Sequence, residues 1–215
     1  MAVLDLTVRR EGGMTRTRDV QAQRQRLSAA TWAVLAQDGL TGLTVRAVAE
    51  RAGCTTGLVM HTFPDKLSLL RHARDLLHER TAERIEQAEA AAAEPRDRLR
   101  AVLSQAVAAS DDKRQEAGVW VAYAAAAVAN ADLADLHRKH NRSFLARINR
   151  LLSEAHPDLA EDVRADTATA LVALVEGINT LAALDPATYH PAEQRRAVEN
   201  ALDRLTAPGS VSSGG

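Results

Sequence analysis

The chain has 215 residues, 46% of them apolar and 3% aromatic, enough for a small module plus one larger domain. Few aromatics and long alanine runs suit packed helices better than sheets, where β-branched and aromatic residues collect. One cysteine excludes an intrachain disulfide and fits a reducing cytoplasm, and a net charge of −1 argues for no particular partner by itself.

The N-terminus lacks a basic-then-apolar leader pattern. No apolar run is expected to reach the roughly 20 residues of a membrane span. Charge is unevenly placed. Residues 1–66 carry nine Lys or Arg against six Asp or Glu, and residues 67–215 carry eighteen against twenty-two. A basic N-terminal part before an acidic remainder hints at a polyanionic partner for the former.

In chain order, residues 1–17 have no sustained period and read as a flexible tail, with Met14 an alternative start. Leu27, Ala30, Val34 and Leu35 then recur at helical spacing from about Asp19, and Gly39 is placed to end that helix. Thr44 caps a short helix with Val45, Val48, Ala49 and Ala52 on one face, and Gly53 ends it. A second short helix holds Val59 and Phe63. Asp65 caps a long helix with Leu69, Leu70, Ala73, Leu76, Leu77 and Ile85. Further helices are expected over 96–109, 113–130, 132–154, 159–184 and 191–206. All six prolines fall between these segments, as the helix-interior cost of about 3 kcal/mol requires. The closing "APGSVSSGG" reads as a second flexible tail. No strand pattern is present. The reading is all-α with about nine helices: a tail over 1–17, a three-helix domain over 18–64, a larger helical domain over 65–206 and a tail over 207–215.

Within "AGCTTGLVMHTFPDK" three positions are sterically demanding for two helices joined by a tight turn. Ala49 is small where the helices approach. Gly53 supplies the left-handed turn without a Cβ penalty. Val59 packs back on the first helix. Short helices of this kind are marginal alone, and the helix before them provides a third to pack on. If the second helix enters a major groove, Thr55, Thr56, Leu58, Met60, His61 and Thr62 face outward, the threonines toward phosphate or base edges and Leu58 and Met60 toward thymine methyls. Lys66 sits in a first helical turn, where the macrodipole disfavours a cation. A phosphate docked there reverses that sign; a solvated surface lysine reads equally well.

The stretch "GLTGLTVRAVAERAGCTTGLVMHTFPDKLSLL" resembles the DNA-binding module of TetR-family transcriptional regulators. Thr44, Val45, Ala49, Ala52, Gly53, Gly57, Phe63 and Lys66 match the family pattern as they stand, and Val48, Cys54, Thr55 and Val59 are close replacements. The resemblance implies DNA contacts from Thr44, Thr55, Gly57, His61 and Lys66; Arg46, Thr56, Leu58 and Met60 complete the expected set. One departure stands out. The family's usual tyrosine, a backbone contact, is Met60 here, which cannot donate to phosphate, and His61 beside it is the candidate replacement.

Other chemistries fit less well. Cys54 and His61 are separated by the turn and have no orienting acid, so the thiol is expected to be buried and structural. His137 and His140 share a helix face, but a metal site needs further ligands and only the distant His156 offers one; the pair reads as a polar face. No P-loop, GxSxG or HExxH motif is present. No metal and no cofactor is expected, and the chain does not read as an enzyme.

In the larger domain, Trp120 and Tyr123 lie three apart on one helix. Glu176 and Asn179 interrupt an otherwise apolar one. Burying that acid is costly unless it is paired. With Phe144, these residues form a candidate pocket for a small cationic or lipophilic ligand. The order "W-x2-Y … EG … ALDP", carried mostly by "EGINTLAALDPATYHPAEQRRAVENAL", resembles the C-terminal domain of the choline-sensing repressor subgroup. That resemblance implies a four-helix bundle between two subunits, for which Leu171, Val172, Val175, Val198, Leu202 and Leu205 are the expected apolar seam. The expectation is a cytoplasmic, homodimeric repressor of a pseudo-palindromic double-stranded operator, released by a small-molecule effector and without membrane attachment. An activator, or an enzyme using the second-domain pocket, remains the alternative.

Overall fold

A computed structural model describes residues 5–107 and 109–207, with side chains from residue 20 onward except at 111 and 112. Nine helices and no strand are present among them: α1 (Asp5–Gly42), α2 (Val45–Ala52), α3 (Thr56–Thr62), α4 (Lys66–Ala91), α5 (Pro95–Ala106), α6 (Asp111–Val128), α7 (Ala131–Ala155), α8 (Glu161–Leu184) and α9 (Pro191–Leu205). Pro95 and Pro191 open their helices, where the missing N–H is tolerated.

Two expectations need correction. The helical segment begins at Asp5 rather than near Asp19, so most of the tail expected over 1–17 is helix. No proline interrupts residues 5–38, which lets the helix continue, and Gly39, at φ 65° and ψ −168°, breaks the helical backbone where the sequence places its end. The C-terminal tail lies outside the described residues from 208 onward. Membrane-span length is also reached, by α8, which has a mean hydropathy of 1.5 over its most apolar 18-residue window. Only 39% of that window is buried within the chain.

The chain divides into two compact units, Met1–Leu76 and Leu77–Gly215. The division falls inside α4. In the first unit α2 packs on α1 and α3 on α2. Leu27, Val34, Leu43, Val48, Val59 and Leu69 are fully buried. The first turns of α4 join this core through His72, whose ring stacks on Phe63 at 4.7 Å and whose Nε2 is hydrogen-bonded to Ser28 Oγ at 3.0 Å. In the second unit α7 packs on α5, α6 and α8, and α9 on α5 and α8. Its apolar cluster includes Leu99, Leu103, Ile148, Leu151, Leu171 and Val175.

Leu171, Val172, Val175, Val198 and Leu202 all belong to that intrachain cluster, and Leu205 packs against it. The seam expected between two subunits is therefore occupied within one chain. An apolar stripe on a helix announces burial, not which surface does the burying. The solvent face of α8 carries Ala170, Ala173, Glu176, Gly177, Leu181 and Leu184 instead, with Leu184 73% exposed.

Candidate nucleic-acid interface and effector cavity

The turn geometry follows from its residues. Ala47 N–H donates to Thr44 Oγ1 at 3.1 Å, which caps α2. Gly53 closes α2 at φ 63°, the left-handed region, and its N–H is satisfied by Ala49 and Glu50 carbonyls. Leu58 N–H then donates to Thr55 Oγ1 at 3.3 Å, so α3 starts on a threonine cap. Asp65 caps α4: Ser68 N–H donates to Asp65 Oδ1 at 2.7 Å, and those bonds hold the Asp65 carboxyl below its ordinary range. Arg51 Nη2 donates to Gln37 Oε1 at 2.6 Å and fastens α2 to α1.

These constraints leave Thr44, Arg46, Thr55, Thr56, Gly57, Met60, His61 and Lys66 exposed, while Val59 is wholly buried on the opposite side of α3. Leu58 departs from the expectation: it is half-buried. Cys54 is half-buried rather than enclosed, lying in the turn itself, where its N–H donates to Ala49 O at 3.0 Å.

In the second unit, a cavity of about 30 Å³ is lined by Thr81, Arg84, Gln105, Ala106, Val107, Lys113, Glu116, Ala117, Trp120 and Asn179. Two of the five expected ligand residues, Trp120 and Asn179, are therefore brought together. Asn179 Nδ2 donates to Ala106 O at 2.9 Å. The other three are placed differently. Tyr123 is buried outside the lining, Phe144 packs on the apolar cluster, and Glu176 is exposed, its carbonyl accepting from Thr180 Oγ1.

The charged lining was missed by sequence reasoning. Arg84 Nη1 donates to Glu116 Oε1 at 2.9 Å and Nη2 to Oε2, a bidentate pair. Lys113 Nζ donates to the Gln105 carbonyl at 2.9 Å and to its side-chain oxygen. Burial, then Arg84, lowers the Lys113 pKa to about 8, against the pull of Glu116 and with a further push from Arg195. Lys113, Glu116 and Trp120 are spaced three and four apart on α6, so one helix face carried the signal.

A second, open depression of about 450 Å³ is lined by Glu86, Glu89, Arg98, Arg147 and Arg150. Arg147 pairs with Glu86 at 3.0 Å and Glu89 at 3.3 Å, and Arg150 with Glu89 at 2.6 Å and Glu154 at 2.7 Å. Its charges answer one another. The expected polar face at His137 and His140 is corrected too: His140 is buried, its ring 3.8 Å from that of His78. No group of three His, Cys, Asp or Glu among the described residues is placed to hold a metal ion.

Residues 27–73 match the model of the bacterial regulatory proteins of the tetR family, and residues 95–207, more than half the chain, match the C-terminal domain of BetI-type transcriptional repressors. This chain belongs to the TetR family. It is a transcriptional regulator with a BetI-type C-terminal domain, and members of this TetR group are regulators, not enzymes. It is 32% identical over 196 residues to a BetI regulator of Paraburkholderia phymatum, covering 87% of this chain and 94% of that one. A transcriptional regulator from Rhodococcus sp. Rha1 superposes with a TM-score of 0.74 at 29% identity, over 84% of this chain and 94% of that one. A regulator from Saccharomonospora viridis in complex with choline shares the fold, with a TM-score of 0.75 at 18% identity, over 86% and 96%. TetR-family regulators bind operator DNA and small-molecule effectors.

Proposed function

We propose that this regulator is a cytoplasmic repressor that binds a pseudo-palindromic operator as a homodimer and releases it when a small molecule occupies the second unit. The observation that carries the DNA half is the exposed set Thr44, Thr55, Gly57, His61 and Lys66 around two threonine-capped helices. Gly57 adds to it. A Cβ there would meet nothing closer than Thr55 Oγ1 at 3.9 Å, so nothing within the chain calls for glycine. Close approach of a DNA backbone does. Thr44, His61 and Lys66 position the protein on phosphates. Met60, 52% exposed, occupies the place of the family's tyrosine without its donor, which leaves His61 to supply it.

The dimer face is the solvent side of α8 rather than the stripes first expected. Gly177 sits in mid-helix with open space where a Cβ would go, although glycine costs about 1 kcal/mol there relative to alanine. Ala170, Ala173, Leu181 and Leu184 flank it. A face of small and apolar residues, interrupted by Glu176, that a single chain leaves uncovered is suited to a two-fold, self-complementary contact. Two-fold symmetry then sets two recognition helices on successive half-sites. The effector acts through α4, which supplies Arg84 to the cavity and Lys66 to the DNA set. A coupling of about 1–3 kcal/mol changes operator occupancy roughly 5- to 150-fold.

The test is a gel shift with the DNA upstream of this protein's own gene. A shifted band that weakens with salt is expected. No binding anywhere in that region at low salt overturns the reading.

A further inference from the structure

The lining of the α4–α6 cavity is specific about charge and size. Glu116 is its single described carboxylate, and both oxygens already accept from Arg84. Lys113 donates only to the neutral oxygens of Gln105 among its described hydrogen bonds. Arg195 adds its charge from α9. Among the described residues, three cations thus act around one occupied acid. Burial and this repulsion already push Lys113 toward losing its proton, a strain that a nearby anion relieves.

Size points the same way. A volume of about 30 Å³ admits roughly one or two water-sized groups. A carboxylate is of that size; a trimethylammonium, with three methyls around its nitrogen, is not. One aromatic ring, Trp120, lines the cavity, short of the several faces that hold a quaternary ammonium. Val107, Ala106 and Ala117 supply the apolar part of the remaining wall, beside Thr81 and Asn179.

We infer that this cavity takes a small monocarboxylate, its anionic head on the Lys113 ammonium and its short apolar tail along Trp120, Val107 and Ala117. This rests on the proposal that the second unit binds the effector, and it replaces the cationic ligand that Glu176 suggested. Glu176 is exposed and outside the lining.

The experiment uses the full chain and two acid–amide pairs small enough for this volume, formate with formamide and acetate with acetamide, beside choline. Thermal shift and titration calorimetry read binding; release of a bound operator fragment reads the response. The acids are expected to raise Tm with concentration and the amides are not, a comparison that needs no variant. Lys113→Gln is expected to weaken acid binding at least tenfold while retaining the wild-type helical spectrum. Choline binding with both acids silent, amides matching acids, or acids binding Lys113→Gln as they bind the wild type would each overturn the inference. If choline releases the operator and the acids do not bind, the carboxylate site falls and the effector-responsive reading stands. If the acids bind in a Lys113-dependent way without moving operator occupancy, the site stands and the effector role falls.

Discussion

The Arg84 guanidinium of α4 and the Glu116 carboxylate of α6 form a bidentate pair, with Glu116 only 10% exposed and Arg84 31%. The pair ties α4 to α6, across thirty-two residues of sequence, at the wall of the α4–α6 cavity. Removing one partner leaves the other desolvated and unanswered, which is far costlier than removing both. Arg84→Met is therefore expected to destabilise the protein by about 2–3 kcal/mol, below the fully buried range because Arg84 keeps part of its solvation. The double variant with Glu116→Leu should recover much of that loss. Urea titrations of the three proteins decide it; an Arg84→Met melt matching wild type contradicts the argument.

A substitution at Gly57 is expected to separate folding from DNA binding. It lies in α3 with helical backbone and an open Cβ position. Gly57→Ala should stabilise the chain by about 0.5–1 kcal/mol, since alanine loses less conformational freedom on folding. The same change should weaken operator binding, because the added methyl meets the phosphate backbone. A variant more stable yet weaker on DNA is the expected outcome of paired melts and gel shifts.

Gly53 behaves oppositely. Its φ of 63° is strained for any residue with a Cβ, although no atom lies within 4 Å of the Cβ position. Gly53→Ala should cost about 1–2 kcal/mol through backbone strain alone. Thermal unfolding measures it directly.

Stability should depend on pH through His72. Burial lowers its pKa in the folded protein from the ordinary 6.5, with Asp75 pulling the other way. The unfolded chain therefore binds this proton more readily, and stability rises with pH through the window below about 6.5. His156 acts in the same direction, lowered by burial, then by Arg96 and Arg100. Urea midpoints at pH 5.5 and 7.5 should show the acid sample less stable, and His72→Gln should flatten the difference in part. An unchanged difference in that variant would assign the effect elsewhere.

The solvent face of α8 gives a test of assembly. Ala173→Arg adds a charge beside Gly177 without touching the buried face of Leu171, Val175 and Ile178. Light scattering should find a monomer with an unchanged helical spectrum. A stable dimer in that variant would place the two-fold contact on another surface.

Met60 offers a gain of function. Tyrosine there restores a phosphate donor at a position already 52% exposed. Met60→Tyr is expected to tighten operator binding several-fold, with His61→Ala costing less in that background than in the wild type. Equal losses from His61→Ala in both backgrounds would show that His61 does not stand in for the tyrosine.

What the sequence by itself determined was local. Thr44 and Thr55 as caps, Gly53 as a left-handed turn, Asp65 at the start of α4 and the bounds of α5 to α9 all follow from short-range backbone chemistry. So does the exposure of the residues proposed to face DNA, because one buried residue per turn fixes where its neighbours point. The tertiary structure decided everything that depends on which surfaces meet. Leu171, Val175, Val198 and Leu202 advertise burial, but only packing shows that their own chain buries them. Glu176 looked like a pocket acid because its helix is apolar, yet it lies on the face the chain leaves open. Arg84 and Glu116 look like surface charges until α4 and α6 come together. Hydrophobic periodicity records that a face is covered; the partner, and the charges trapped beside it, are set by contacts between residues far apart in the chain.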